Sequence, residues 1–257
     1  MLTFKSTSLL FILSLALCGL LIYFFSINPF WLLLPILIFK LTIIYGSATI
    51  QSNFYLKAYN TGNTAKKHIA ITFDDGPTKE FTPEILKVLA EYNAKASFYV
   101  IGKNILGNEN LVQQIHQEGH LLGNHSFSHS FFIDFKSSKG FVEEINQTTD
   151  ALEKIIGKRT TLFRPPYGVT TPNIATAVNK LKMHVIGWNV RSLDTTKDDA
   201  QTIVNRVTLQ LKPGAIVLFH DTSKKTVNVL KQTLNFAKEN GFKIVSIDEL
   251  LNIKAYE

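Results

Sequence analysis

The chain has 257 residues, 46% of them hydrophobic, and a net charge of +7, which is enough for one sizeable domain core plus an additional segment. Its lysines and arginines are scattered without a basic run of five or more, so nucleic acid is set aside as a partner, while a membrane surface or an acidic envelope polymer suits the sign of the charge. Cys18 is the only cysteine and lies in an apolar stretch, which excludes a disulfide framework and a cysteine-rich zinc module. The first predicted element is the uncharged run SLLFILSLALCGLLIYFFS, residues 8–26, close to the ~20 residues that span a bilayer. A cleaved signal peptide is the competing reading, but its apolar core is typically ~7–15 residues long and ends in small residues. After the turn signal INP, a second apolar run, FWLLLPILIFKLTIIYG (residues 30–46), carries Pro35 inside it and Lys40 near its far end. Residues 1–47 are therefore expected to form an anchor of one or two transmembrane helices, touching lipid through residues 8–46. Residues 48–65 are expected to be a linker and residues 66–257 a folded domain.

From Lys66 onward, short β-branched or aromatic runs alternate with helical periodicity. The predicted strands are HIAITF, ASFYVIG, HLLGN, TLFR, HVIGWNV, AIVLFH and FKIVS. Between them, TPEILKVLAEYN should be a helix with Thr82 as N-cap and Pro83 at its first position, and VEEINQTTDALEKIIGK should stop at Gly157. Roughly seven βα units imply an α/β fold with a parallel sheet and outer helices, either a barrel or an open sheet. In both, functional groups belong at the carboxyl ends of the strands. Asp74 and Asp75, His125, Arg164, Asp194 and His220 all follow predicted strands and so should gather at one rim.

Two adjacent aspartates at a strand end repel each other unless a cation lies beside them. In HSFSH, His125 and His129 are four residues apart, close enough for both imidazoles to face one point. Two histidines and a carboxylate are a common catalytic zinc set, leaving a position for water whose pKa the metal lowers toward ~7. One aspartate can then bind the cation while the other takes the water's proton. In FRPPYG, Arg164 precedes two prolines that stiffen a loop able to present a backbone N–H to a developing oxyanion, and AIVLFHD ends on His220, a possible proton donor. Without a partner pattern, His68, His116, His120 and His184 are read as structural.

These segments resemble, in order, the motifs of the polysaccharide deacetylases of carbohydrate esterase family 4, the group sharing the nodulation-factor deacetylase homology domain. The matches are T-F-D-D-G-P at 72–77, H-[ST]-x-x-H at 125–129, R-P-P-[YF]-G at 164–168 and L-x-H at 218–220, within about residues 66–250. The resemblance implies a distorted (β/α) barrel of about seven parallel strands following the N-terminal segment. It implies that Asp75, His125 and His129 bind a divalent metal, usually zinc with cobalt or nickel as substitutes. Asp74 would be the general base, oriented by Arg164, and His220 the general acid. Tyr167 would supply an oxyanion N–H, Leu218 would line the acetyl pocket, and Ser126 would steady the ligand loop. The fourth motif departs from the family's D-x-x-D-W. Here RSLDT has Arg191 at the first acidic position and Thr195 at the tryptophan, while Asp194 matches the position that raises the pKa of the acid histidine. Trp188 either fills part of the vacated space or belongs to the core. The implied activity is removal of N-acetyl groups from amino sugars, chiefly N-acetylglucosamine of a polysaccharide or peptidoglycan, by a membrane-anchored domain on the extracytoplasmic side. O-acetyl ester hydrolysis and a non-catalytic glycan-binding role are the alternatives.

Overall fold

Apolar runs alternating with amphipathic helices build a parallel sheet curled into a half-barrel in the computed structural model, which describes residues 2–257. The strands are β1 (His68–Asp74), β2 (Ser97–Val100), β3 (Leu121–Asn124), β4 (Leu162–Phe163), β5 (His184–Val185), β6 (Val190–Arg191), β7 (Ile216–His220) and β8 (Lys243–Ile244). Seven lie in the order β5-β4-β3-β2-β1-β7-β6, and β8 pairs with the start of β1. Their ladders are parallel, so the carboxyl ends share one rim.

Strand periodicity decides which residues reach the interior of the half-barrel. Along β1, Ile69, Ile71 and Phe73 join the core beneath the outer helices, where Phe73 stacks between Phe98 and Phe219 at centroid distances of 5.0 and 6.0 Å. The alternate residues Ala70, Thr72 and Asp74 point inward. In β7, Val217 and Phe219 belong to the outer core, and Ile216 and Leu218 to the inner one. Cα register pairs Asp74 with His220, so the same alternation delivers both side chains to the inner rim.

Three local features differ from the sequence expectation. HVIGWNV is not one strand. It forms β5 and β6 at opposite edges of the sheet, because the carbonyls of Ile186 and Gly187 turn to accept hydrogen bonds from Arg164 at 3.0 Å each. Thr82 is the first helical residue of Thr82–Glu91, not its N-cap, and its hydroxyl is drawn to the buried Asp221 carboxylate. The expected linker is packed. Ile50, Phe54, Leu56 and Ala58 are buried, and Tyr59 pairs in parallel with Ile186 beside β5. Its apolar residues close the seam that the short edge strands leave open. By contrast, Ser138–Ile156 ends where expected, at Gly157 with φ +69.

Two apolar helices precede the domain, α1 (Phe4–Phe25) and α2 (Leu33–Ala48), the latter extended by a short 3₁₀ turn at Pro29–Leu32. Phe11 stacks on Phe39 at 4.2 Å, so the two form an antiparallel hairpin. Both are long and apolar enough to cross a membrane, with mean hydropathies of 2.5 and 1.8 over windows in which almost no residue is buried. The hairpin is fixed to the domain at both ends: the Phe4 N–H donates to Phe54 O at 3.0 Å, and the Thr170 N–H donates to Ser47 O at 2.9 Å.

Candidate active site

Asp74 and Asp75 end β1 in opposite directions. Asp74 continues the strand's alternation and is buried. Asp75 takes a left-handed backbone, φ +75, and its carbonyl accepts from Asn104 Nδ2 at 2.8 Å. This turn carries its carboxylate to the histidines: Asp75 Oδ1 lies 3.6 Å from His125 Nε2 and 3.4 Å from His129 Nε2.

The histidine loop follows β3. The His125 N–H extends the ladder to Val100 O, and its Nδ1 lies 2.8 Å from Arg164 O, which leaves Nε2 facing Asp75. Burial holds the His125 imidazole down to about 3, so it is neutral and has a lone pair for a cation. The His129 N–H donates to Ser126 Oγ at 3.2 Å. A buried carboxylate absent from the sequence expectation secures the loop: Glu144 accepts from the Phe127 and Ser128 N–H groups and the Ser128 hydroxyl, and pairs with Lys136. Its signal was an acidic residue on the apolar face of its helix, in register with Phe141, Ile145, Thr148 and Leu152.

Arg164 fills the interior. Fully buried, it lies over the Tyr99 ring at 4.1 Å and donates from Nη1 to Thr72 Oγ1 at 2.8 Å and Asp74 Oδ1 at 2.7 Å. Burial pushes the Asp74 carboxyl up from the ordinary aspartate value, although the Arg164 charge opposes it. The following loop puts Tyr167 at φ +57, with its ring 4.6 Å from that of His129. A Cβ at Gly168, φ +71, would collide with Trp188, which is at once core and pocket wall.

His220 faces this group from β7. Its Nδ1 lies 2.8 Å from Asp194 Oδ1, and Asp194 Oδ2 accepts from the His220 N–H and the Thr226 hydroxyl. Burial alone would depress the imidazole. The hydrogen bond and charge of Asp194, helped by Asp74 and Asp75, outweigh it and raise the pKa to about 9, while the same contacts hold Asp194 below the usual carboxylate range despite its own burial. Asp221, the next residue, was not expected at the site. It is buried against Gly76 and Thr82, and burial raises it to about 7.

Asp74, Asp75, His125, His129, Tyr167, Leu218 and His220 line one cavity of ≈ 280 Å³, with Trp188, Arg191, Leu193 and Thr195 on its wall. Arg164 and Asp194 stand directly behind it. His68, His116, His120 and His184 do not line it. His120, for example, accepts from the Ala96 N–H. Ligand atoms of Asp75, His125 and His129 lie within 4.8 Å of one another, and Asp75 Oδ1 is buried without a hydrogen-bond partner among the described residues. An orphaned carboxylate oxygen between two imidazole nitrogens suits a divalent cation.

A family profile for polysaccharide deacetylase matches residues 61–186. The peptidoglycan-N-acetylglucosamine deacetylase PgdA of Listeria monocytogenes is 36% identical over 188 residues, 73% of this chain and 40% of that protein, so the chain spans well under half of its length. A peptidoglycan-N-acetylglucosamine deacetylase of Bacillus cereus is 34% identical over 74% of this chain and 90% of its own. Among solved structures, the Bc1960 peptidoglycan N-acetylglucosamine deacetylase superposes with a TM-score of 0.73 at 30% identity, covering 77% of this chain and 94% of that one.

Proposed function

The chain belongs to the polysaccharide deacetylase family, and from that premise we propose that it is a metal-dependent hydrolase removing N-acetyl groups from N-acetylglucosamine units of an envelope glycan, with peptidoglycan as the favoured substrate. Held by Asp75, His125 and His129, a divalent cation, zinc by preference for this nitrogen and oxygen donor set, would supply Lewis acidity to a water molecule and to the acetamide carbonyl. Asp74 takes a proton from the attacking water. Arg164 fixes that carboxylate in place, and burial makes it a stronger base than an exposed aspartate. His220, charged through Asp194, gives a proton to the amide nitrogen as the C–N bond breaks, so acetate and a free amine leave. The Tyr167 N–H, in a loop stiffened by Pro165 and Pro166, stabilises the developing oxyanion, and Leu218 packs on the acetyl methyl. Residues 1–47 anchor the enzyme, and the catalytic domain lies on the extracytoplasmic side, where such glycans are found.

One observation carries this function: the base, the cation-binding cluster and the acid line the same cavity from the carboxyl ends of β1, β3 and β7. Acetate release from peptidoglycan and from N-acetylglucosamine oligomers by the full chain in detergent tests it. Activity should vanish with chelator and return with zinc. Release from acetylated xylan alone would move the reaction to O-acetyl esters. Metal-loaded protein that releases acetate from none of the three would be a glycan-binding homologue.

A further inference from the structure

Beside the catalytic cavity lies a second groove that shares Tyr167, Trp188 and Arg191 with it. Its far wall is the segment leaving α2, including Thr49 and Gln51, and Asn189 and Gln210 add further polar groups. No carboxylate lines it. Gln51 is anchored by donating to Trp188 O, and Asn189 Oδ1 accepts from the Ile216 N–H, which leaves the Asn189 amide nitrogen as a donor. Arg191 is exposed, with its guanidinium carbon 5.8 Å from the Trp188 ring centroid. Arg159, Arg164 and Arg206 each pair with a carboxylate, whereas Arg191 pairs with none among the described residues. An unpaired guanidinium steadied on an aromatic face, in an acid-free groove opening onto the reaction centre, is built to receive an anion.

We propose that Arg191 makes this groove a subsite for a carboxylate carried on, or next to, the sugar whose acetamide is hydrolysed. The preferred glycan is then an acetamido-sugar polymer bearing carboxylates, not a neutral one. This rests on the catalytic reading above for the position of the acetamide. A single guanidinium among neutral amides matches one negative charge, where a phosphate or pyrophosphate would call for further cations. The groove extends toward the base of α2, so the anionic part of the substrate lies on the side of the domain nearest the hairpin.

The test uses the full chain in detergent with peptide-free peptidoglycan strands, whose lactyl carboxylates are on the N-acetylmuramic acid and therefore next to each N-acetylglucosamine, and with the same strands after methyl esterification. Oligomers alternating N-acetylglucosamine with glucuronate, free and esterified, place the carboxylate on a neighbouring sugar that has no acetamide of its own. The expected free-acid to ester ratio in kcat/KM is roughly 10- to 100-fold for at least one pair, the range of a charge-assisted hydrogen bond. Arg191→Gln should bring that ratio to about one, and Arg191→Lys should keep part of it. A wild-type ratio near one for both pairs, or one that survives in Arg191→Gln, overturns the proposal. Calorimetric affinities for the same pairs read the ratio without turnover. Absent activity with a retained, Arg191-dependent affinity ratio would sink the catalytic reading alone, and normal activity with no ratio would sink the subsite alone.

Discussion

Asp74 and Asp75 are chain neighbours in opposite surroundings, and the contrast separates their expected phenotypes. Asp74 is buried against Arg164, so Asp74→Asn keeps its volume and removes the base: kcat should fall by ~10²- to 10⁴-fold while zinc binding persists. Asp75→Asn should instead weaken zinc binding itself, which titration of both variants with the metal would distinguish. His220 gives a pH test. With its pKa raised to about 9, the imidazolium is the working form at neutral pH, and activity should decline on an alkaline limb near that value. In Asp194→Asn the charge is gone and only a neutral amide acceptor is left for Nδ1, so burial prevails and the limb should move to or below the ordinary histidine value, as a pH profile of kcat would show. Stability should follow the same sign. A pKa raised on folding contributes fully below about pH 6.5 and is lost as pH rises through about 9. The residues at the rim were legible because each follows a strand. Which aspartate turns to the histidines came only from the family resemblance, which pointed to Asp75, since spacing does not show the left-handed turn there, and Asp221, buried against Thr82, belongs to none of the motifs read from the sequence.

At the level of elements, the ligand loop depends on the helix that follows it in the chain. Glu144, on Ser138–Ile156, satisfies two N–H groups and a hydroxyl at residues 127 and 128, between the two histidines. Glu144→Ala would strand those donors in a half-buried setting, at up to about 1–3 kcal/mol for each left unsatisfied. The expected result is a lower Tm together with zinc affinity reduced by ~10- to 100-fold, as for groups that orient metal ligands from behind. Unchanged zinc affinity would mean that the loop holds its shape without Glu144. Strand and helix identities were legible from periodicity, and the stop at Gly157 from its glycine. The division of HVIGWNV was hidden, because an unbroken β-prone run says nothing of the Arg164 side chain that takes the Ile186 and Gly187 carbonyls from the ladder. Thr82 misled for the same reason: a good N-cap residue was recruited by a carboxylate 139 positions away.

For the whole molecule, what matters most is where the catalytic unit begins. Residues 48–65 are expected from the sequence to be a linker, and the family profile begins at residue 61, so a cut near residue 60 looks natural. The half-barrel's seam argues against it. Ile50, Leu56 and Ala58 join the inner core, Phe54 is buried against Gly46, and at the broken strand the Tyr59 N–H donates to Val185 O while its carbonyl accepts from the Gly187 N–H. Removing the buried Ile, Phe and Leu side chains alone forfeits on the order of 5 kcal/mol at about 1.5–3 kcal/mol each, a large share of the ~5–15 kcal/mol that stabilises a typical domain. A fragment of residues 46–257 keeps Gly46 against Phe54 and the Ser47 carbonyl for Thr170, while dropping almost all of both apolar helices. It should therefore unfold cooperatively at a clearly higher Tm than a fragment of residues 60–257, which should aggregate or melt early and lose the Gln51 wall of the Arg191 groove. Equal melting temperatures would mean that the segment rests on the domain without stabilising it. A large gap would make the stretch between hairpin and half-barrel part of the catalytic fold, coupling the position of the hairpin to the shape of the active site.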